Sequence, residues 1–177
     1  MQRLKVFPGM KSIIRSFVFI LLISSRVAAQ YSMPPPAQTV PEFEFARFDK
    51  TSFTNKNLAT NKPLFFFFFD CTCEHCQHAM TYLNANFKDY KNAAVYLISL
   101  DSIQTINNFL HKYAPNVVGQ KNVTVLLDLK TEFITKFKPR KYPSLFLYDA
   151  NKKLLDYEDN PESMFRFSML LQKTAAK

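Results

Sequence analysis

The sequence predicts an α/β fold: a central mixed sheet flanked by helices, built as β-α-β followed by β-β-α behind an N-terminal extension. Three observations carry this. The run Leu64-Phe65-Phe66-Phe67-Phe68-Phe69 contains no polar residue, which suits a strand buried on both faces. Helical periodicity starts at Met80, and further short apolar runs alternate with helical segments, the order that gives parallel pairing with right-handed crossovers. The last two apolar runs are separated only by a polar turn, which makes them a hairpin.

Residues 1–29 stand outside that fold. They carry Arg3, Lys5, Lys11 and Arg15 without an acid, then Phe17-Val18-Phe19-Ile20-Leu21-Leu22-Ile23, then Val27-Ala28-Ala29. A basic stretch, a short apolar core and small residues at a cleavage point make a signal peptide, expected to be cut after Ala29. The apolar core is well short of the ~20 residues a spanning helix needs, so no stable membrane span is expected after cleavage. An exported protein follows, with the bacterial periplasm as the expected compartment. Five of the 23 basic residues and none of the 14 acids are in the leader, so the formal charge falls from +9 to +4 without it. The remaining basic residues are dispersed apart from Lys136, Lys138, Arg140 and Lys141. No nucleic-acid-binding motif accompanies them, so nucleic acid is not an expected partner. That cluster reads as a solvated loop, or as a rim attracting acidic partners.

Residues 30–41, with Pro34-Pro35-Pro36 and Pro41, read as an extended linker. Residues 42–177 then form a single domain of ordinary size. Glu42-Phe43-Glu44-Phe45-Ala46-Arg47-Phe48 alternates and suits a half-exposed edge strand. After the phenylalanine run, Met80, Leu83 and Phe87 fall on one helical stripe. Ala94 to Leu100 reads as a second buried strand, and Asp101-Ser102-Ile103-Gln104 as a capping box opening a helix with Ile103, Ile106 and Leu110 inward. Val123 to Leu127 is a short strand leading through Asp128 into a helix bearing Phe133, Ile134 and Phe137. Phe146-Leu147-Tyr148 and Lys153 to Tyr157 form the hairpin, and Asn160-Pro161 caps a closing helix with Met164, Phe167 and Leu171 packed inward. Gly119 is the only glycine after the leader, so turns are expected to rely on Asn, Asp and Pro.

The chemistry is concentrated in Cys71-Thr72-Cys73-Glu74-His75-Cys76-Gln77-His78, which holds all three cysteines and two of the three histidines. With a helix starting near Glu74, Cys73 lies at its N-terminus, where unsatisfied backbone N–H groups and the helix dipole favour a thiolate. Cys76, one turn on, is spaced to close a disulfide, so the pair can attack a partner disulfide and resolve the mixed intermediate. His75 beside that thiolate favours the reduced form, and Glu74 opposes it by like charge. The cysteines themselves carry the electrons, so no cofactor is required.

The run Leu64 to Met80 resembles the first strand, active-site turn and helix of the thioredoxin superfamily, most of all the secreted thiol-disulfide oxidoreductases related to TlpA and ResA. Tyr142-Pro143-Ser144-Leu145-Phe146-Leu147-Tyr148-Asp149 resembles that family's cis-proline, strand and turn. The resemblance implies that Cys73 is the nucleophile and Cys76 the resolving thiol. It implies also that Pro143 faces them and that Tyr142 offers backbone groups to a bound peptide. Protein thiols and disulfides, and a redox partner that recycles the dithiol, are the implied partners. The chain departs from the pattern at Thr72, where the family has Trp, and at Phe67, where it has a polar or acidic proton acceptor; Asp70 or His78 is a candidate substitute. Cys71 is either a buried apolar residue or an auxiliary thiol.

Other readings compete. Cys71, Cys73, Cys76 and His78 together offer a soft donor set for Cu(I) or Zn(II), but copper-delivering relatives space their cysteines by three residues and place a histidine before the cis-proline. A thioredoxin-like domain used only for binding also fits the missing acceptor. The Pro-x-x-x-Thr-x-x-Cys turn of a peroxidase is absent. Asn122-Val123-Thr124 matches a glycosylation triplet, discounted because such triplets arise by chance and the leader is of bacterial type.

Overall fold

The structure, a computed structural model, describes residues 33–175. The leader therefore lies outside the described residues, among which no helix is long and apolar enough to cross a membrane.

Seven strands form one mixed sheet: β1 Glu44–Ala46, β2 Ser52–Thr54, β3 Leu64–Phe68, β4 Ala94–Ser99, β5 Val123–Leu127, β6 Ser144–Tyr148 and β7 Leu154–Glu158, in the order β2-β1-β5-β4-β3-β6-β7. The phenylalanine run is the central strand, parallel to β4 and antiparallel to β6. Every residue of β3 is buried, as an apolar run without alternation requires.

Three helices, α1 Glu74–Ala85, α2 Ile103–Tyr113 and α3 Met164–Ala175, pack on one face of the sheet against Phe65, Phe67, Phe69, Val95, Leu97, Leu145 and Leu147. Two successive right-handed crossovers stepping the same way, β3 to β4 and β4 to β5, put α1 and α2 on the same side. The connection from β5 to β6 must then cross the opposite face. There Phe133 and Phe137 meet Phe66, Phe68 and Phe146, the Phe133 and Phe137 rings stacking at 4.2 Å. Where sequence periodicity predicts a helix, this connection makes a five-residue π-helical turn, Phe133–Phe137, with Ile134 exposed. Buried Asp128 begins it by accepting the Glu132 and Phe133 N–H groups, each at 2.8 Å.

The N-terminal residues complete that second face. Ala37 N–H donates to Phe137 O at 3.0 Å, Val40 N–H to Lys152 O at 3.0 Å, and Thr39 bridges Lys153. The proline-rich stretch expected as a linker is thus extended but docked from Pro36 onward. The strand predicted at the edge, β1, is interior: it pairs with β2 along its length and meets β5 at Ala46 and Leu127. Phe43, Phe45 and Phe53 are buried there, so the alternation marked a face packed on the core. The true edge, β2, has only one apolar residue in three, which hid it.

Glycine scarcity has a structural counterpart. Besides Gly119, positive φ is taken by Lys50, Asn61, Thr131, Lys138 and Lys152, so lysine supplies three left-handed positions where Asn, Asp and Pro were expected. The Asn122 amide donates to Tyr90 O and Ala93 O, each at 2.9 Å; the nitrogen that a glycan would need is engaged in holding the start of β5.

Candidate functional site

The carboxyl end of β3 runs through Phe69, whose N–H continues the ladder to Ile98 O at 3.0 Å, into a tight turn. Asp70 shapes that turn: its carboxylate accepts the Thr72 N–H at 2.7 Å and the Thr72 hydroxyl at 2.6 Å, and its carbonyl accepts the Cys73 N–H at 3.3 Å. Helix α1 then starts at Glu74 with Cys73 as its N-cap. The cap is made by sulfur. Cys73 Sγ accepts the Cys76 N–H at 3.4 Å, so one orphan donor of the first turn points at the expected nucleophile.

Cys76 is buried, while Cys71 and Cys73 are half-buried, and all three are free thiols. Burial pushes the Cys76 thiol upward, opposed by a hydrogen bond from the Asp70 backbone and reinforced by Cys73. Cys71 is also pushed up by burial, and then by a hydrogen bond to the Asp101 carboxylate and by its charge. Sequence reasoning missed Asp101. Its Oδ2 accepts the Cys71 N–H at 2.9 Å and the Ser99 hydroxyl at 3.0 Å, tying the end of β4 to the thiol turn. The motif Asp101-Ser102-Ile103-Gln104 was informative only about Ser102, which caps α2 by accepting the Thr105 N–H at 3.2 Å; Asp101 turns the other way.

Glu74, His75 and His78 are exposed. Of the two proposed substitutes for the missing acid, Asp70 is half-buried with its Oδ1 engaged by Thr72, and His78 faces solvent. Phe67 fills the family's acid position with a fully buried ring, edge-on to Phe69 at 5.9 Å. Among the described residues no three His, Cys, Asp or Glu side chains converge to hold a metal ion, so the three-thiol and imidazole set allowed by spacing is not assembled.

Pairing of Phe68 with Ser144 brings the residue before Ser144 to the thiol end of the sheet. That residue is Pro143, buried, with a cis peptide bond to Tyr142. The Tyr142 ring lies 4.8 Å from that of Phe68, and its hydroxyl is pushed up to about 12 by burial and then by the Asp70 and Asp101 carboxylates. The two distant motifs therefore share one end of the sheet.

Residues 36–156 of this chain match the model of the AhpC/TSA family. The chain belongs to that family. Among curated proteins it is 26% identical over 115 residues to the thiol-disulfide oxidoreductase ResA of Bacillus cereus, covering 63% of each chain, so it spans under two thirds of that relative's length. Its fold is thioredoxin-like. A secreted Mycobacterium tuberculosis disulfide oxidoreductase superposes with a TM-score of 0.59 at 18% identity, covering 74% of this chain and 95% of the other. The peroxidoxin BcpB of the same organism gives 0.61 at 15% identity, covering 78% and 96%.

Proposed function

We propose that this AhpC/TSA family protein is an exported thiol-disulfide oxidoreductase that exchanges electrons with protein thiols and disulfides through Cys73 and Cys76. The observation that carries the reading is the sulfur-capped helix: Cys73 at the N-terminus of α1, accepting the N–H of Cys76, at the end of the sheet that also carries Tyr142–Pro143. In the reducing direction, Cys73 thiolate attacks one sulfur of a client disulfide and one client thiolate leaves. Cys76, deprotonated as it reacts, attacks Cys73 Sγ, forming the Cys73–Cys76 disulfide and expelling the second client thiolate. Two electrons pass to the client, and a partner dithiol returns them; run backwards, the same steps oxidise a client. Tyr142 offers backbone groups to the client beside Pro143, and His75 and Glu74 tune Cys73 from the exposed side.

The test is reduction of glutathione disulfide and of insulin by the protein freed of its leader. Wild type is expected to turn both over and Cys73→Ser neither; equal rates for the two proteins would refute the reading.

A further inference from the structure

The end of the sheet away from the thiols carries a cavity with a positive lining. Lys62 and Lys121 stand just ahead of β3 and β5, the strands on either side of β4. The ladder begins beside them: Ala94 N–H donates to Pro63 O at 2.9 Å and Val95 N–H to Asn122 O at 2.8 Å. Two strand spacings, roughly 10 Å, separate the two lysines, so their long side chains can reach one group between them. A cavity of about 290 Å³ opens there, with Lys62, Lys121, Tyr96, Thr124, Asn57 and Ala59 in its lining.

Among the described residues neither lysine enters an ion pair, and no carboxylate lines the cavity. Tyr96 is 3% exposed; its hydroxyl oxygen accepts the Ala59 N–H at 2.8 Å, while its proton has no acceptor among the described residues. Burial pushes that hydroxyl up, opposed by the Ala59 N–H and then by the charge of Arg47, so it stays a donor at neutral pH. Arg47 itself lies over the Phe53 ring at 4.7 Å and adds only its field. A buried donor without a protein partner is the exception in folded chains, and this one opens into a cavity whose charged groups are both ammoniums.

Two ammoniums and hydroxyl donors match an anion of charge near −2 with three strong acceptor oxygens, which is a phosphate monoester rather than a carboxylate. The volume is near the lower limit of roughly 300 Å³ for small-ligand pockets, leaving room for a short organic group against Ala59 and Ala94. We propose that this cavity binds a small phosphate monoester, its oxygens met by Lys62, Lys121 and the Tyr96 and Thr124 hydroxyls. Leu64 and Ala94 begin the parallel pair of β3 and β4, whereas the cysteines follow its far end beyond Phe68. The site therefore stands apart from thiol exchange and does not depend on it.

The probe is glycerol 3-phosphate, titrated into the leaderless protein at constant ionic strength and followed by calorimetry and amide chemical shifts, with glycerol as the uncharged control. Saturable binding is expected for the phosphate alone, moving the Ala59, Lys62, Ala94 and Lys121 amides and leaving those of Cys73 to Cys76 still. In the double variant Lys62→Gln, Lys121→Gln affinity is expected to fall at least roughly tenfold, and in Thr124→Val roughly threefold. Removing two exposed lysines elsewhere, Lys88→Gln with Lys173→Gln, lowers the net charge equally and is expected to leave affinity within about twofold. Absence of saturable binding, equal binding of glycerol, unaltered affinity in the first double variant, equal loss in both, or shifts confined to the thiol end would each overturn the site. Sedimentation with phosphatidate vesicles separates the sources: capture released by excess ester marks a lipid headgroup, and ester binding without capture marks a soluble ester. Glutathione disulfide turnover has no bearing on any of these readouts.

Discussion

The carboxylate of Asp101 accepts the backbone N–H of Cys71 at 2.9 Å, joining the end of one parallel strand to the turn that presents the thiols. Asp101→Ala leaves that N–H without its partner, at a cost of about 1–3 kcal/mol, to be read by urea denaturation. Asp101→Asn keeps an acceptor but removes the charge that raises the Cys71 thiol. Its Cys71 is expected to alkylate faster with iodoacetamide than wild-type Cys71, as followed by peptide mass mapping.

Cys76→Ser removes the proposed resolving sulfur and leaves the sulfur cap at Cys73 in place. Mixed disulfides between Cys73 and clients are expected to accumulate in this variant and to be absent from Cys73→Ser. Non-reducing gels with and without dithiothreitol make the comparison.

His75 is exposed one residue beyond Glu74 at the start of α1. Removing its positive contribution in His75→Ala is expected to make the thiol pair more reducing, by on the order of 10–20 mV if the charge is worth a typical helix-terminus interaction. A glutathione redox titration checks the sign.

Stability is expected to fall on the alkaline side. The Cys71 and Cys76 thiols are held above their ordinary value of 9.0 in the folded protein, chiefly by burial. Above that value the unfolded chain releases protons that the folded one retains, so their contribution is complete below pH ~9 and lost progressively above it. Denaturation curves from pH 8 to pH 11 are expected to show the decline, and Cys71→Ala is expected to flatten it.

Lys152 closes the β6–β7 turn at φ 65°, its N–H donating to Asp149 O at 3.0 Å. Lys152→Gly relieves the left-handed cost while loosening the unfolded chain, for a net gain of about 0.5–1 kcal/mol. Thermal denaturation of the two proteins side by side gives the comparison.

What was readable in the sequence is what depends on neighbours along the chain. The unbroken phenylalanine run gave β3, the helical stripe from Met80 gave the body of α1, and Asn160-Pro161 marked the turn before α3. Long-range consequences were hidden. Nothing local shows that Asp101 reaches back thirty residues to Cys71, or that Phe43 and Phe45 face the core from an interior strand. Thr131 to Lys138 carries helical spacing at Phe133 and Phe137, but crossing beneath the sheet fixes both ends in left-handed geometry and leaves room only for a π-turn. In the site, the spacing of the cysteines put Cys73 and Cys76 one helical turn apart, whereas the engagement of Asp70 Oδ1 by Thr72 had no such signal.

The backbone bonds from Val40 to Lys152 and from Leu154 to Gln38 anchor the N-terminal stretch beside the turn joining β6 to β7, the end of the sheet remote from Ser144. A protease that clipped the chain between Thr39 and Val40 would therefore bare backbone groups of Lys152 and Leu154 without touching the sulfurs.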